Sequence, residues 1–142
     1  MTEFLTNSSE ESALVLVVDR DPNVRELESF FLNEAGYSVD FAEDGIAALA
    51  IAQVRKPAIV VTEIMVPKLD GLALCRAIKQ DDELRGTVVL VFSILAAKNR
   101  ADEAGADAFL LKPLAERRLV QTVRDLLARR AAMRTCSKQE PA

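Results

Sequence analysis

The side chains best suited to chemistry in this chain each follow directly on a short apolar run. Asp19 and Arg20 end the run Leu14–Val18, Glu63 ends 58–62, Ser93 ends 88–92, and Lys112 ends Ala108–Leu111. A carboxylate can serve as a nucleophile or as a ligand for a hard cation, and a lysine or a serine hydroxyl can hold an oxyanion. Such residues make one site only if the ends of the runs converge. The absent residues narrow the chemistry further. There is no histidine in the 142 residues, which excludes a His-dependent triad, a His-ligated zinc and a histidine phosphodonor within the chain. Cys75 and Cys136 have no metal-ligand spacing and read as free thiols. Where a phosphate-binding loop would need glycines, the chain has Asp19-Arg20-Asp21-Pro22. Its carboxylates would repel phosphate, so a nucleotide or flavin binder is the remote alternative.

The elements that must position these residues are legible from periodicity. The apolar runs are Leu14–Val18, Ser38–Ala42, 58–62, 88–92 and Ala108–Leu111. Three are rich in Val, Ile and Leu without polar alternation, as in parallel strands covered on both faces. Between them lie amphipathic helical patterns. Val24, Leu27, Phe31 and Ala35 form the stripe of the first, with Asp21 as N-cap, Pro22 in the first turn and Gly36 as the stop. Asp44-Gly45 leads into a helix over 46–54, and Asp70-Gly71 opens one reaching Lys79. The last helix is predicted over 115–133, with Leu119, Val120, Val123, Leu126 and Leu127 on one face. Five βα units with right-handed crossovers give an α/β fold with helices on both faces of a parallel sheet. Sites in such sheets form at the carboxyl ends of strands.

Length and charge set the outer bounds. The chain is expected to form one domain over 13–134, with a disordered arm at 1–12 and a disordered tail at 135–142. Net charge is −4, yet 112–134 carries seven basic residues against two acidic ones. That basic helix reads as a solvated face or a docking surface for acidic proteins; no aromatic residues interleave with its arginines, so nucleic-acid binding is not expected. No apolar run is long enough for a membrane span and the first residues are not a signal peptide, so a cytoplasmic location is expected. With eight residues after Arg134, no DNA-binding output domain is expected.

Three motifs carry a family resemblance. They are Val17-Val18-Asp19-Arg20-Asp21-Pro22-Asn23, Ile59-Val60-Val61-Thr62-Glu63-Ile64-Met65-Val66-Pro67-Lys68-Leu69-Asp70-Gly71, and Gly105-Ala106-Asp107-Ala108-Phe109-Leu110-Leu111-Lys112-Pro113-Leu114. Over nearly the whole of 13–128 the chain resembles the receiver domain of bacterial response regulators. The resemblance implies a flavodoxin-like (βα)5 doubly wound sandwich with parallel sheet order 2-1-3-4-5. It also implies a site in which an aspartate takes a phosphoryl group from a phosphohistidine with help from Mg²⁺, a lysine and a hydroxyl. By resemblance Asp19 is the first acidic residue and the Met65 carbonyl the main-chain metal ligand. Ser93 matches the switch hydroxyl, Phe109 the switch aromatic and Lys112 the conserved-type lysine, followed by a cis bond to Pro113.

Three departures alter what the resemblance implies. Glu63 stands at the phosphoacceptor position, one methylene longer than aspartate. Arg20 stands where a second acidic metal ligand is expected, and would repel Mg²⁺ while pairing with Glu63 or Asp19. The stretch from Ser93 to Lys112 is about three residues short, close to one helical turn, with the loss in 94–104, where Ile94 also crowds the site. The expectation is an atypical receiver, not an enzyme. It would bind Mg²⁺ weakly or not at all and signal through contact with a histidine kinase, another regulator or its own copy as a homodimer. The alternative is a receiver that still accepts phosphate from a histidine kinase.

Overall fold

The computed structural model describes residues 13–113 and 115–139, with side chains described as far as Met133. Among the described residues, five strands and five α-helices alternate. They are β1 Leu14–Val18, α1 Pro22–Glu34, β2 Ser38–Ala42, α2 Gly45–Arg55, β3 Ile59–Thr62, α3 Gly71–Gln80, β4 Val88–Ser93, α4 Lys98–Glu103, β5 Ala108–Leu111 and α5 Glu116–Gln139. All strand pairs are parallel and the sheet order is β2-β1-β3-β4-β5. This is the flavodoxin-like doubly wound sandwich that the sequence leads one to expect.

Successive residues of a strand point to opposite faces, and here the two faces feed two cores. Leu16, Val18, Val60, Val89 and Val91 pack with Ala48, Leu74, Cys75, Ile78 and Ala101 from α2, α3 and α4. Val15, Val17, Ile59, Val61, Leu90 and Phe92 pack with Leu32 from α1 and with Leu119, Val123, Leu126 and Leu127 from α5. Every residue of β3 and β4 is buried, which explains their unbroken apolar runs. The outer strand β2 has the looser pattern, with Phe41 55 % exposed.

The turns that lead from strand to helix are built on aspartates. The Asp21, Asp44 and Asp70 carboxylates accept the backbone N–H groups of Asn23, Ala47 and Ala73 at 2.9, 2.7 and 2.8 Å. These caps satisfy donors that the helices leave unpaired. They aim the positive ends of α1, α2 and α3 at the mouth formed by the carboxyl ends of the strands. Gly36 ends the first helical segment with φ 103, a left-handed conformation that a side chain would strain.

Two expectations need correction. The buried stripe of α1 is rotated from the one read from sequence: Leu27 is 57 % exposed and Phe30 54 %, while Glu28 and Leu32 are buried. Periodicity reveals that a stripe exists, but packing against β1 and α5 sets its phase. The last helix continues to Gln139, so residues 135–139, expected as tail, are helical. The expected arm at 1–12 and residues 140–142 lie outside the described residues. The shortened segment after β4 holds only the six-residue α4, with no side-chain cap at its start.

Where β3 turns into α3, the backbone passes very close to itself. The Gly71 N–H donates to the Ile64 carbonyl at 2.9 Å, and a Cβ at Gly71 would collide with the Glu63 carbonyl oxygen. Replacing a helix-start glycine usually helps, but here the crowding is against backbone. Gly71→Ala is expected to lower stability by about 1–3 kcal/mol, read as a lower urea midpoint. An unchanged or higher midpoint would show that the loop relaxes freely.

Candidate functional site

The carboxyl ends of β1, β3, β4 and β5 converge on one buried ammonium. Lys112, immediately after β5, sends its Nζ to Asp19 Oδ2 at 2.6 Å and to Glu63 Oε1 at 3.1 Å. Glu28 Oε2, from α1, stands 3.7 Å from the same nitrogen. The ammonium also lies 5.2 Å from the centre of the Phe92 ring, a cation–π distance. The lysine is held from behind, because its N–H donates to the Ser93 carbonyl at 2.8 Å. The Lys112–Pro113 peptide is cis, as the resemblance implies.

Each carboxylate has its own set of donors. Asp19, 4 % exposed, accepts the Asp21 N–H at 3.0 Å on Oδ1, and its carbonyl accepts from the Arg25 guanidinium at 2.9 Å. Glu63 is 6 % exposed. Its Oε2 accepts a bond from the Ser93 hydroxyl and one from the Ile64 N–H at 2.9 Å. Its Oε1 receives the ammonium and a long 3.4 Å contact from the Ile94 N–H. Ser93, fully buried, accepts the Leu95 N–H at 3.1 Å in turn.

The ionisation of the cluster follows from this geometry. Burial alone would push the Glu63 carboxyl upward, but the Ser93 hydroxyl and the Lys112 ammonium outweigh it, and its pKa lies below the ordinary value. Burial would likewise lower the Lys112 pKa, but the bond to Asp19 and the charges of Glu28 and Asp19 hold it above normal. Glu28 goes the other way. Burial dominates, Lys112 opposes it only in part, and the charges of Asp19 and Glu63 add to the rise, so its pKa is raised to about 7.

Four of the residues singled out from sequence therefore meet: Asp19, Glu63, Ser93 and Lys112. The pairing expected of Arg20 does not form. Arg20 is exposed, and among the described residues no ion pair joins it to Glu63 or Asp19. Lys112 takes that role: its side chain is 14 % exposed and reaches both carboxylates, whereas Arg20 is exposed. Met65 is 44 % exposed at the rim. Phe109 is partly buried against the core on the α4 side, and Ile94 is 62 % exposed. Glu28 was missed by the sequence reading. A signal was present: it lies four residues after Val24 and four before Leu32, in phase with the buried face of α1.

Mg²⁺ asks for near-octahedral oxygen ligands. Asp19, Glu63 and Glu28 all face the Lys112 ammonium. By resemblance Arg20 stands where a further acidic ligand is expected, and no group of three His, Cys, Asp or Glu side chains that could hold a metal ion occurs among the described residues. The donor set does not fit a Mg²⁺ ion.

Comparison with known proteins agrees with the geometry. The family model described as the response regulator receiver domain matches residues 15–124. The chain is 34 % identical over 118 residues to the DNA-binding dual master transcriptional regulator RpaA of a Synechocystis strain, covering 81 % of this chain and 49 % of that protein. It is 39 % identical over 116 residues to the response regulator MprA of a Mycobacterium strain, covering 81 % and 50 %. The chain thus spans about half the length of these curated relatives. Among solved structures, a response regulator from Chloroflexus aurantiacus superposes with TM-score 0.79 at 31 % identity, covering 82 % of this chain and 98 % of that one. The receiver domain of NarL from Mycobacterium tuberculosis gives TM-score 0.75 at 31 % identity, covering 82 % and 97 %.

The raised Glu28 pKa makes stability depend on pH. A carboxyl whose folded pKa of about 7 exceeds its ordinary value of 4.5 stabilises the fold fully below 4.5. That contribution is lost as pH rises through 7. Glu28→Gln, which keeps a neutral side chain of similar size, is expected to exceed the parent in stability at about pH 8, by on the order of 3 kcal/mol at most. The gap should close at about pH 4. Urea unfolding at both values checks it; a gap independent of pH would count against a buried, titrating Glu28.

Proposed function

We propose that this chain, which belongs to the response regulator receiver domain family, carries two-component signals through protein contacts without a phosphorylated aspartate. The observation that supports this reading is the state of Glu63. Its carboxylate sits on the Ser93 hydroxyl and the Lys112 ammonium, the two groups that by resemblance would receive a phosphoryl group. The extra methylene lets an internal anion reach both. A phosphoryl group on Glu63 would have to displace these bonds and add charge beside Asp19, with Arg20 in place of a metal ligand. The mouth is therefore read as a fixed arrangement and not as one that phosphorylation sets.

Signalling then rests on which surfaces are presented. The partner is a histidine kinase, another regulator or a second copy, met in part through the basic face of α5, which carries Arg117, Arg118 and Arg124. The domain is read as a signalling module and not an enzyme. DNA binding, printed in the name of RpaA, belongs to a protein of which this chain spans about half. No helix among the described residues is long and apolar enough to cross a membrane. A second reading, a receiver that still accepts phosphate, draws support from Asp19, Ser93 and Lys112 standing together at the mouth.

Acetyl phosphate labelling with Mg²⁺ separates the two readings. Wild type and Glu63→Asp alone are expected to incorporate no phosphate above background, because Arg20 still stands in for a metal ligand. Arg20→Asp combined with Glu63→Asp is expected to become labelled, with intact-mass spectrometry as the readout. Labelling of wild type, or of Glu63→Asp, at the double variant's level would favour the phosphate-accepting reading.

A further inference from the structure

At the end of the sheet opposite the mouth, a groove of about 290 Å³ opens between the turn before β4 and the last helix. Its rim is cationic. Lys79, Arg85, Arg129 and Arg130 line it, against one acidic lining residue, Asp107. Lys79 is paired with that aspartate at 2.7 Å and Arg85 with Asp82 at 3.0 Å, while Arg129 is exposed. Arg130 spans the groove, its Nε donating to the Gly86 carbonyl. The floor is apolar, formed by Val88 and Leu126, with Met133 71 % exposed at one side. A basic rim over an apolar floor suits an acidic segment that also carries large apolar side chains.

The chain supplies one. Residues 1–12 read Met-Thr-Glu-Phe-Leu-Thr-Asn-Ser-Ser-Glu-Glu-Ser. They hold Glu3, Glu10 and Glu11, no lysine or arginine, and the apolar pair Phe4-Leu5. They join the described fold at Ala13, at the same end of the sheet as the groove. Ala13 packs against the core that also contains Val88 and Leu126. The Leu14 carbonyl accepts from Ala58 N–H, and the Ala58 carbonyl accepts from Val88 N–H, so Leu14 and Val88 are two strand spacings apart, roughly 10 Å. Twelve residues can span up to roughly 40 Å, so reach is ample.

We infer that the groove between the turn before β4 and α5 is the seat of the chain's own N-terminal segment, with Phe4-Leu5 over Met133 and the glutamates on the arginine rim. The segment neutralises a basic surface that would otherwise attract acidic partners, and it competes with such partners for that surface. Seating depends on exposed charges and so weakens with salt.

The test uses the full-length ¹⁵N-labelled chain. The substitutions are Glu3→Gln, Glu10→Gln and Glu11→Gln together in one variant, and Phe4→Ala in a second, all outside the described residues. Both are expected to shift the amide resonances of Gly86, Thr87 and Arg129 while leaving those of Asp19 and Leu95 in place. A nuclear Overhauser contact is expected between the Phe4 ring and the Met133 methyl. The inference is overturned if neither variant moves the groove amides or if that contact is absent. It is also overturned if the groove amides shift with protein concentration in the parent chain, since a second copy is then the occupant.

Discussion

Lys112 is the charge on which the mouth of this domain depends. An ammonium taken out of water is costly unless compensated, and so is each carboxylate around it. Asp19 comes from β1, Glu63 from β3 and Glu28 from α1, and the lysine itself follows β5. One side chain thus ties three strands and a helix at a point where the backbone has already left the sheet. Glu28 is the farthest of the three from the nitrogen at 3.7 Å, and burial first, then the charges of Asp19 and Glu63, raise its pKa.

The reach of Glu63 follows from the same constraint. A carboxylate one methylene longer than aspartate bonds the Ser93 hydroxyl and the ammonium at once. Burial would discourage its charge, yet two strong donors and the Ile64 N–H hold it ionised. Arg20 stays exposed, and among the described residues no ion pair joins it to this cluster.

Charge is also sorted along the axis of the sheet. The mouth gathers carboxylates and three aspartate-capped helix starts, while the opposite end carries the cationic groove against α5. A chain with net charge −4 therefore presents two surfaces of opposite character. The short α4 leaves the region after β4 with little regular structure and Ile94 exposed.

Much of this was legible in the residues themselves. Strand positions followed from unbroken Val, Ile and Leu runs, because strands covered on both faces bury every residue. The starts of α1, α2 and α3 followed from Asp21-Pro22, Asp44-Gly45 and Asp70-Gly71, local signals that need no tertiary context. The family, and with it the strand order, followed from motifs at the ends of β1, β3 and β5. The outward Leu27, the inward Glu28 and the choice of Lys112 over Arg20 as partner for Glu63 were decided only in three dimensions. A helical period shows that one face is buried but not its phase, which β1 and α5 set by packing. An ion pair between residues far apart in the chain depends on which side chain approaches from the covered side of the sheet. Lys112 lies 93 residues from Asp19, and only the closing of β5 beside β4 brings its ammonium under the carboxylates.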